Sequence, residues 1–336
     1  MIAVEDLRKA YGDFVAVEGS TFAVERGEIF GIVGPNGAGK TTTLKMCSGL
    51  VEPSGGRATV AGHDATDPEM RRSLGFLPEE SPLYEDMTPR SYLRFFADLY
   101  GVPRETADER MGRALDRLEL DHRERRLGDM SKGMKRKVAI ARSLVNDPEV
   151  LVYDEPASGL DPLTTDAVLA FTRELSDRGK TVLFSAHNLY HVESVCDRIV
   201  IMDRGEIVAR GTVPEIRDAH GETVYRVFTD VAVDGAAEAG DRYVVEVPEM
   251  TAVERVREAA AAAGGGVVDI RTREPSLEDV FLDIAGGGRE RRRDRPRDRD
   301  RRGRPAADAG GRRASGDDGR GDGGRGDGEP GPGADR

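Results

Sequence analysis

The sequence predicts an α/β fold with an antiparallel β region at its start, a helical insertion, a small α+β region behind it and a low-complexity tail. Three observations carry this. Gly34-Pro35-Asn36-Gly37-Ala38-Gly39-Lys40-Thr41 is a G-x-x-x-x-G-K-[ST] loop between an apolar strand and a helix. Several later apolar runs end in a carboxylate or a histidine, and ligands bind outside the strand ends of an α/β sheet. From residue 286 on, Gly, Arg, Asp and Pro dominate, with too few apolar residues to build a core.

A chain of 336 residues can bury one large core and a smaller one. Its net charge of −12 argues against general nucleic-acid binding, which needs a basic footprint. The stretch 286–336 holds 15 Arg against 11 acidic residues, so the tail is +4 and the rest of the chain −16. No run of about 18 apolar residues exists, and Met1-Ile2-Ala3-Val4-Glu5-Asp6 lacks a basic region followed by an apolar one. The expected location is cytoplasmic, with any membrane attachment made through a partner. Cys47 and Cys196 have neither metal-site nor disulfide spacing and read as reduced core residues.

The glycine-rich loop fits a triphosphate. Backbone N–H groups must wrap the phosphate oxygens, and Gly34, Gly37 and Gly39 keep that path open. Lys40 reaches the outer phosphates, the Thr41 hydroxyl suits Mg²⁺, and the next helix points its positive end at the anion. Glu28-Ile29-Phe30-Gly31-Ile32-Val33 supplies the strand. Leu44, Cys47 and Leu50 give the helix its apolar spacing.

Ahead of the loop, residues 1–30 alternate around Tyr11-Gly12-Asp13 and Glu18-Gly19-Ser20, as antiparallel strands do. Tyr11 either stacks on a nucleotide base or packs in the core. Beyond the loop, Arg57–Gly62 reads as strand and turn, and Leu74-Gly75-Phe76-Leu77-Pro78 as a strand stopped by proline. Glu79 follows as a candidate ligand for magnesium or water. Residues 89–128 read as helical. Tyr92, Phe95, Phe96, Leu99 and Tyr100 share one face, which serves core packing or docking of another protein.

Met130-Ser131-Lys132-Gly133-Met134 opens a further helix with Ser131 as N-cap. With Gly133 and nearby cations this terminus also suits an anion. Val150-Leu151-Val152-Tyr153 delivers Asp154 and Glu155 at a strand end, where buried carboxylates call for a task. Asp154 would hold Mg²⁺ and Glu155 would take a proton from attacking water. Asp161 before Pro162 is a sound N-cap. Thr181-Val182-Leu183-Phe184-Ser185 ends near His187, a candidate for the terminal phosphate or a structural residue.

Phosphate loop, Ser-x-Gly helix start, Asp-Glu strand, Ser158-Gly159-Leu160-Asp161 and strand-end His187, in this order, resemble the ATP-binding subunit of ABC transporters. The resemblance covers about residues 1–215 and implies a P-loop NTPase core of ABC ATPase type, with a helical subdomain over about 83–145. It implies that Tyr11 stacks on adenine and that Gly34, Pro35, Asn36, Gly37, Ala38, Gly39, Lys40, Thr41 and Thr42 form Walker A. Asp154 and Glu155 become Walker B and the general base, and His187 the switch histidine. Ser131, Lys132, Gly133 and Met134 become the signature that meets the opposite subunit's ATP, and Asp161 part of the interface loop. Thr41, Glu79 and Asp154 become the Mg²⁺ set.

Two departures stand out. The signature is Met-Ser-Lys-Gly-Met where the family usually has Leu-Ser-Gly-Gly-Gln, and Glu79 stands where a Gln is usual. Both are similar to the exporter branch with ABC-2-type membrane subunits. So is a small α+β C-terminal domain over 221–285, ending in a helix capped by Ser276, ahead of a disordered tail over 286–336. The resemblance implies an ATPase that needs ATP and Mg²⁺, pairs with a second copy of itself, and sits peripherally on the inner face of the membrane through a permease. A soluble ABC ATPase acting on ribosomes or DNA is the alternative.

Overall fold

Residues 1–220, 224–273 and 276–281 are described in the computed structural model; the tail expected over 286–336 lies outside them. Alternation sets the first two strands. β1 (Ile2–Tyr11) buries Ile2, Val4 and Leu7 and pairs antiparallel with β2 (Phe14–Val24), so that Ile2 faces Val24 and Tyr11 faces Phe14. β3 (Ile29–Val33) is buried at all five positions and runs through the phosphate loop into α1 (Lys40–Cys47). This helix stops three residues short of the expected Leu50, which is 55% exposed in the turn that follows Gly49. β4 (Gly55–Val60) pairs with β1 and with β5 (His63–Asp64), and β6 (Leu74–Leu77) ends at Pro78.

The helical insertion is two helices, α2 (Pro89–Leu99) and α3 (Arg104–Arg117), broken at Gly101-Val102-Pro103. Thr88 caps α2 through a reciprocal pair of hydrogen bonds with Ser91. α4 (Lys132–Ser143) leads to β7 (Val150–Asp154), and α5 (Pro162–Asp177) to β8 (Thr181–Ala186). α6 (Leu189–Val195), β9 (Arg198–Asp203), β10 (Glu206–Gly211) and α7 (Val213–His220) follow. α7 runs across residue 215, the expected end of the first domain.

β1, β2, β4 and β5 form an antiparallel sheet in the order β2-β1-β4-β5. The central sheet has the order β10-β9-β3-β8-β7-β6, parallel from β9 to β6 with β10 antiparallel at its edge. Its strands are buried on both faces, which explains their unbroken apolar runs. The two-residue period separates the faces. Phe30, Ile32, Val150, Val152 and Leu183 pack toward α1 and the first sheet, while Ile29, Val33, Leu151, Tyr153, Val182 and Phe184 pack among the helices of the other side. Each such side chain contributes about 1.5–3 kcal/mol by leaving water.

This order decides function, because β3, β8 and β7 are neighbours. Their C-terminal ends carry the phosphate loop, Ser185 to His187, and Asp154 with Glu155.

β11 (Val224–Thr229), β12 (Ala237–Ala239), β13 (Arg242–Val247) and β14 (Val267–Arg273) make a third, antiparallel sheet in the order β12-β13-β11-β14. α8 (Met250–Ala262) covers it, and Val227, Val245, Val247, Val253 and Val256 close a small core. The capped turn at Ser276 forms as expected, with Asp279 N–H donating to Ser276 Oγ and Ser276 N–H to Asp279 Oδ2. Its apolar side does not join that small core. Leu277 and Val280 are buried in the main core, and Leu277 N–H donates to Glu193 on α6 at 3.2 Å. Cys47 and Cys196 are buried free thiols, and burial pushes Cys47 up to about 12.

Candidate functional site

The phosphate loop has its shape because two glycines admit backbone where a side chain would stand. A Cβ on Gly34 would lie 2.2 Å from the carbonyl oxygen of Met202, and one on Gly39 would lie 2.6 Å from that of Ala16. Gly39 also takes φ +102° at the N-cap of α1, in the region that favours glycine. The loop curls around a cavity of about 290 Å³ lined by residues 36–42 together with Phe14, Ala16, Glu79 and Glu155. A cavity of this size, walled by backbone N–H groups and one lysine, suits phosphates.

Lys40 is 6% exposed. Its ammonium donates to the carbonyls of Gly34 (2.8 Å) and Pro35 (3.2 Å) and lies 3.7 Å from Glu155 Oε1. Glu155 is 7% exposed, and its second oxygen meets His187 Nδ1 at 2.8 Å. Lysine, glutamate and histidine thus form one polar chain across the ends of β3, β7 and β8. Glu155 also holds φ +48°, a left-handed backbone that costs about 1–3 kcal/mol in a residue with a side chain and recurs at functional sites.

Ser185 stabilises this turn. Its buried hydroxyl accepts the Glu155 N–H at 2.9 Å and donates to Asp154 Oδ1 at 2.6 Å. Thr41 Oγ1 donates to the same carboxylate oxygen at 3.3 Å. Thr41 and Asp154 thus offer two adjacent hard oxygens beside the phosphate cavity, a donor set that fits Mg²⁺, which takes one or two protein oxygens and completes its shell with phosphates and water. Among the described residues no cluster of three His, Cys, Asp or Glu side chains stands as a metal cage. Glu79 lies exposed at the cavity rim.

The signature stretch and Asp161 stand apart from this cavity. Ser131 caps α4 by accepting the Met134 N–H at 3.3 Å. Asp161 caps α5, accepting the N–H and hydroxyl of Thr164, and these bonds hold its carboxyl below the usual range. The two caps are neighbours, for a Cβ on Gly133 would lie 3.2 Å from Thr164. The cations of this stretch are less free for an anion than their spacing suggests. Lys135 pairs with Glu85 at 3.2 Å, and Arg136 turns inward on backbone carbonyls.

Tyr11 is half exposed at the end of β1, with Lys9 Nζ 5.1 Å from its ring centroid. Its cross-strand neighbour Phe14, 64% exposed, lines the cavity and carried no sequence signal beyond being an exposed aromatic in a strand. Ser185 had a signal: a hydroxyl that follows the apolar run Val182-Leu183-Phe184 in a buried strand needs a partner. The aromatic face of α2 divides. Tyr92 is buried and Phe96 packs against it at 4.9 Å, whereas Phe95, Leu99 and Tyr100 are exposed. Burial and then the neighbouring His187 hold His191 below its ordinary value.

The ABC transporter family model matches residues 17–158. The linearmycin resistance ATP-binding protein LnrL of Bacillus subtilis is 33% identical over 306 residues, covering 85% of this chain and 98% of its own length. The chain belongs to the ABC transporter ATP-binding proteins. The daunorubicin resistance ATP-binding protein DrrA3 of Streptomyces coeruleorubidus is 34% identical, covering 86% of this chain and 96% of its own. Among solved structures, an ABC transporter ATP-binding subunit superposes with a TM-score of 0.61 at 36% identity, covering 66% of this chain and 93% of that one. A dimeric bacterial ABC transporter cassette gives a TM-score of 0.59 at 25% identity, covering 63% of this chain and 98% of that one. This ABC subunit is an ATPase of a transporter, and members of its family dimerise and work with membrane permeases. The ribosome- or DNA-directed alternative is thereby set aside. No helix among the described residues is long and apolar enough to cross a membrane.

Proposed function

We propose that this chain is the ATPase of an exporter whose membrane part is a separate ABC-2-type permease, and that two copies clamp two ATP molecules in a two-fold dimer on the cytoplasmic face. The observation that carries the reading is the Lys40–Glu155–His187 chain at the edge of the phosphate cavity. The relatives named for drug resistance support export.

The roles follow from the contacts. Lys40 exchanges the carbonyls of Gly34 and Pro35 for the outer phosphates of ATP, while residues 34–42 supply backbone donors. Glu155 accepts a proton from the attacking water, and His187, which holds the carboxylate, turns toward the terminal phosphate. Thr41 and Asp154 would hold Mg²⁺, with Glu79 at the rim as a further oxygen for the ion or its water. The bound ion supplies charge neutralisation at the phosphates. Tyr11 stacks on adenine.

Ser131, Lys132, Gly133 and Met134 are separate from their own cavity and meet the partner copy's ATP, with Asp161 beside them at the interface. One phosphate loop and one signature per chain generate two equal sites by two-fold symmetry. ATP then joins the halves and hydrolysis releases them, and the permease feels that motion through the exposed Phe95, Leu99 and Tyr100 of the helical subdomain.

Co-purification from detergent-solubilised membranes tests the assignment. A stable multi-span partner is the expected companion of the full chain. Recovery with ribosomes or DNA and no membrane partner refutes it.

A further inference from the structure

Arg136 is a buried cation that the reaction does not use directly. It is 7% exposed on α4, five residues after the Ser131 cap, and among the described residues no carboxylate lies within ion-pair distance of it. Carbonyl oxygens hold it instead. Nε donates to Pro156 O at 2.7 Å; one terminal nitrogen donates to Pro78 O (2.7 Å), Glu79 O (3.0 Å) and Ser81 Oγ (3.4 Å). The other donates to Asp154 O (3.0 Å) and Glu155 O (2.7 Å). Burial lowers the guanidinium to about 10, so it stays charged at neutral pH.

This geometry has a mechanical meaning. One rigid planar fork on α4 ties together two loops that have no regular pairing of their own, the loop after β6 that carries Glu79 and the turn after β7 that carries Glu155. The second is the turn whose left-handed Glu155 must be held in place. Arginine can bridge both because its five donors lie in one fixed plane; lysine presents a point charge that cannot span them. α4 is also the helix whose first turn carries Ser131 and Gly133.

We propose that Arg136 is a positioning residue that links the signature end of α4 to the general base and the Glu79 loop of its own subunit, so that engagement of one ATP sets the geometry for hydrolysis of the other. The coupling half of this proposal rests on the dimer reading above. Each chain then touches one nucleotide through Ser131 and Gly133 and hydrolyses the second through Glu155, with the guanidinium as the rigid connection between them.

The test compares Arg136→Lys and Arg136→Met with Arg142→Lys in the full chain. Arg142 lies further along α4 and donates to Tyr92 OH and Phe76 O, away from the 154–156 turn. Melting temperature, ATP affinity, kcat and the Hill coefficient for ATP are measured on all of them. Displacing the base by a fraction of an ångström to one ångström lowers kcat by about tenfold to 10²-fold. The expectation is that loss for both Arg136 variants, the larger for Met, with ATP affinity retained and the Hill coefficient falling toward one. Arg142→Lys shifts only the melting temperature.

Unchanged kcat and cooperativity in a folded Arg136→Lys overturn the proposal. So does a loss that follows ATP affinity and melting temperature in parallel, since that is a structural role alone. Should Arg136→Lys fail to fold, Arg136→Ala assayed with added guanidinium ion takes its place; recovery of kcat supports the proposal and its absence refutes it. ATP-driven dimerisation of Glu155→Gln separates the two levels. A chain that stays monomeric refutes the dimer reading and the coupling with it, whereas a dimer with normal kinetics on changing Arg136 refutes the strut only.

Discussion

Replacing Glu155 by Gln tests the proposed general base, because the amide keeps the shape of the side chain. The contact with His187 at 2.8 Å and the approach to Lys40 at 3.7 Å persist as polar contacts, while the charge and the proton acceptor vanish. Ser185 and Arg136 bind the backbone of this turn and so hold it unchanged. The rate then falls by the contribution of a general base, about 10²- to 10⁴-fold, or about 2.7–5.4 kcal/mol of barrier. ATP affinity does not fall, since Lys40 loses a competing carboxylate and gains freedom to serve the phosphates. Phosphate release in a single turnover, binding of a fluorescent ATP analogue and light scattering with ATP read the three consequences. Wild-type turnover in this variant refutes the base assignment, and weakened ATP binding refutes the inferred competition between Glu155 and the phosphates for Lys40.

Lys40→Ala removes a charge-assisted donor of about 1.5–3 kcal/mol, so ATP affinity falls by about tenfold to 10²-fold; an unaltered dissociation constant contradicts the cradle. Gly34→Ala forces a Cβ to within 2.2 Å of the Met202 carbonyl oxygen, and overpacking of this kind costs about 1–3 kcal/mol or more, measurable by urea denaturation. Asp147 is held below its ordinary 3.8 first by the hydrogen bond from Lys180 and then, against some desolvation, by the charges of Lys180 and Arg110. Its folded value is depressed, so its stabilisation is complete above the unfolded value and is lost as pH falls through the folded one. Asp147→Asn therefore lowers the melting temperature at neutral pH, with the difference from wild type shrinking once the pH drops below about 4. A difference that does not narrow in acid refutes the pairing.

The strand-end carboxylates, the glycine-rich loop and the helix caps were legible because each is local. Asp154 and Glu155 terminate an apolar run, Ser131 and Asp161 precede helices, and the spacing of Gly34, Gly39 and Lys40 is a property of eight consecutive residues. Arg136 was not legible, since nothing in its neighbours along the chain reveals five carbonyls arriving from two distant loops. Leu50 matched the helical period yet lies past the end of α1, where Gly49 takes φ +65° with the chain already turning. The mixed face of α2 escaped too, as the 3.6-residue period marks which residues share a side and not how far the next layer reaches over them.

Local order of residues alone determined that this chain holds a triphosphate: backbone donors, one cation and one hydroxyl lie within a few bonds of each other, so no other part of the molecule is needed to assemble them. It likewise determined which strands end in reactive groups. Only tertiary structure decided that these ends meet. Parallel strands must be joined by crossovers, so β3 lies about 150 residues from its sheet neighbour β8, and β8 about 30 residues from its other neighbour β7. The contacts of Glu155 with Lys40, His187 and Ser185, and the grip of Arg136 on the turn between them, arise from that sheet order and are written in no single stretch of sequence.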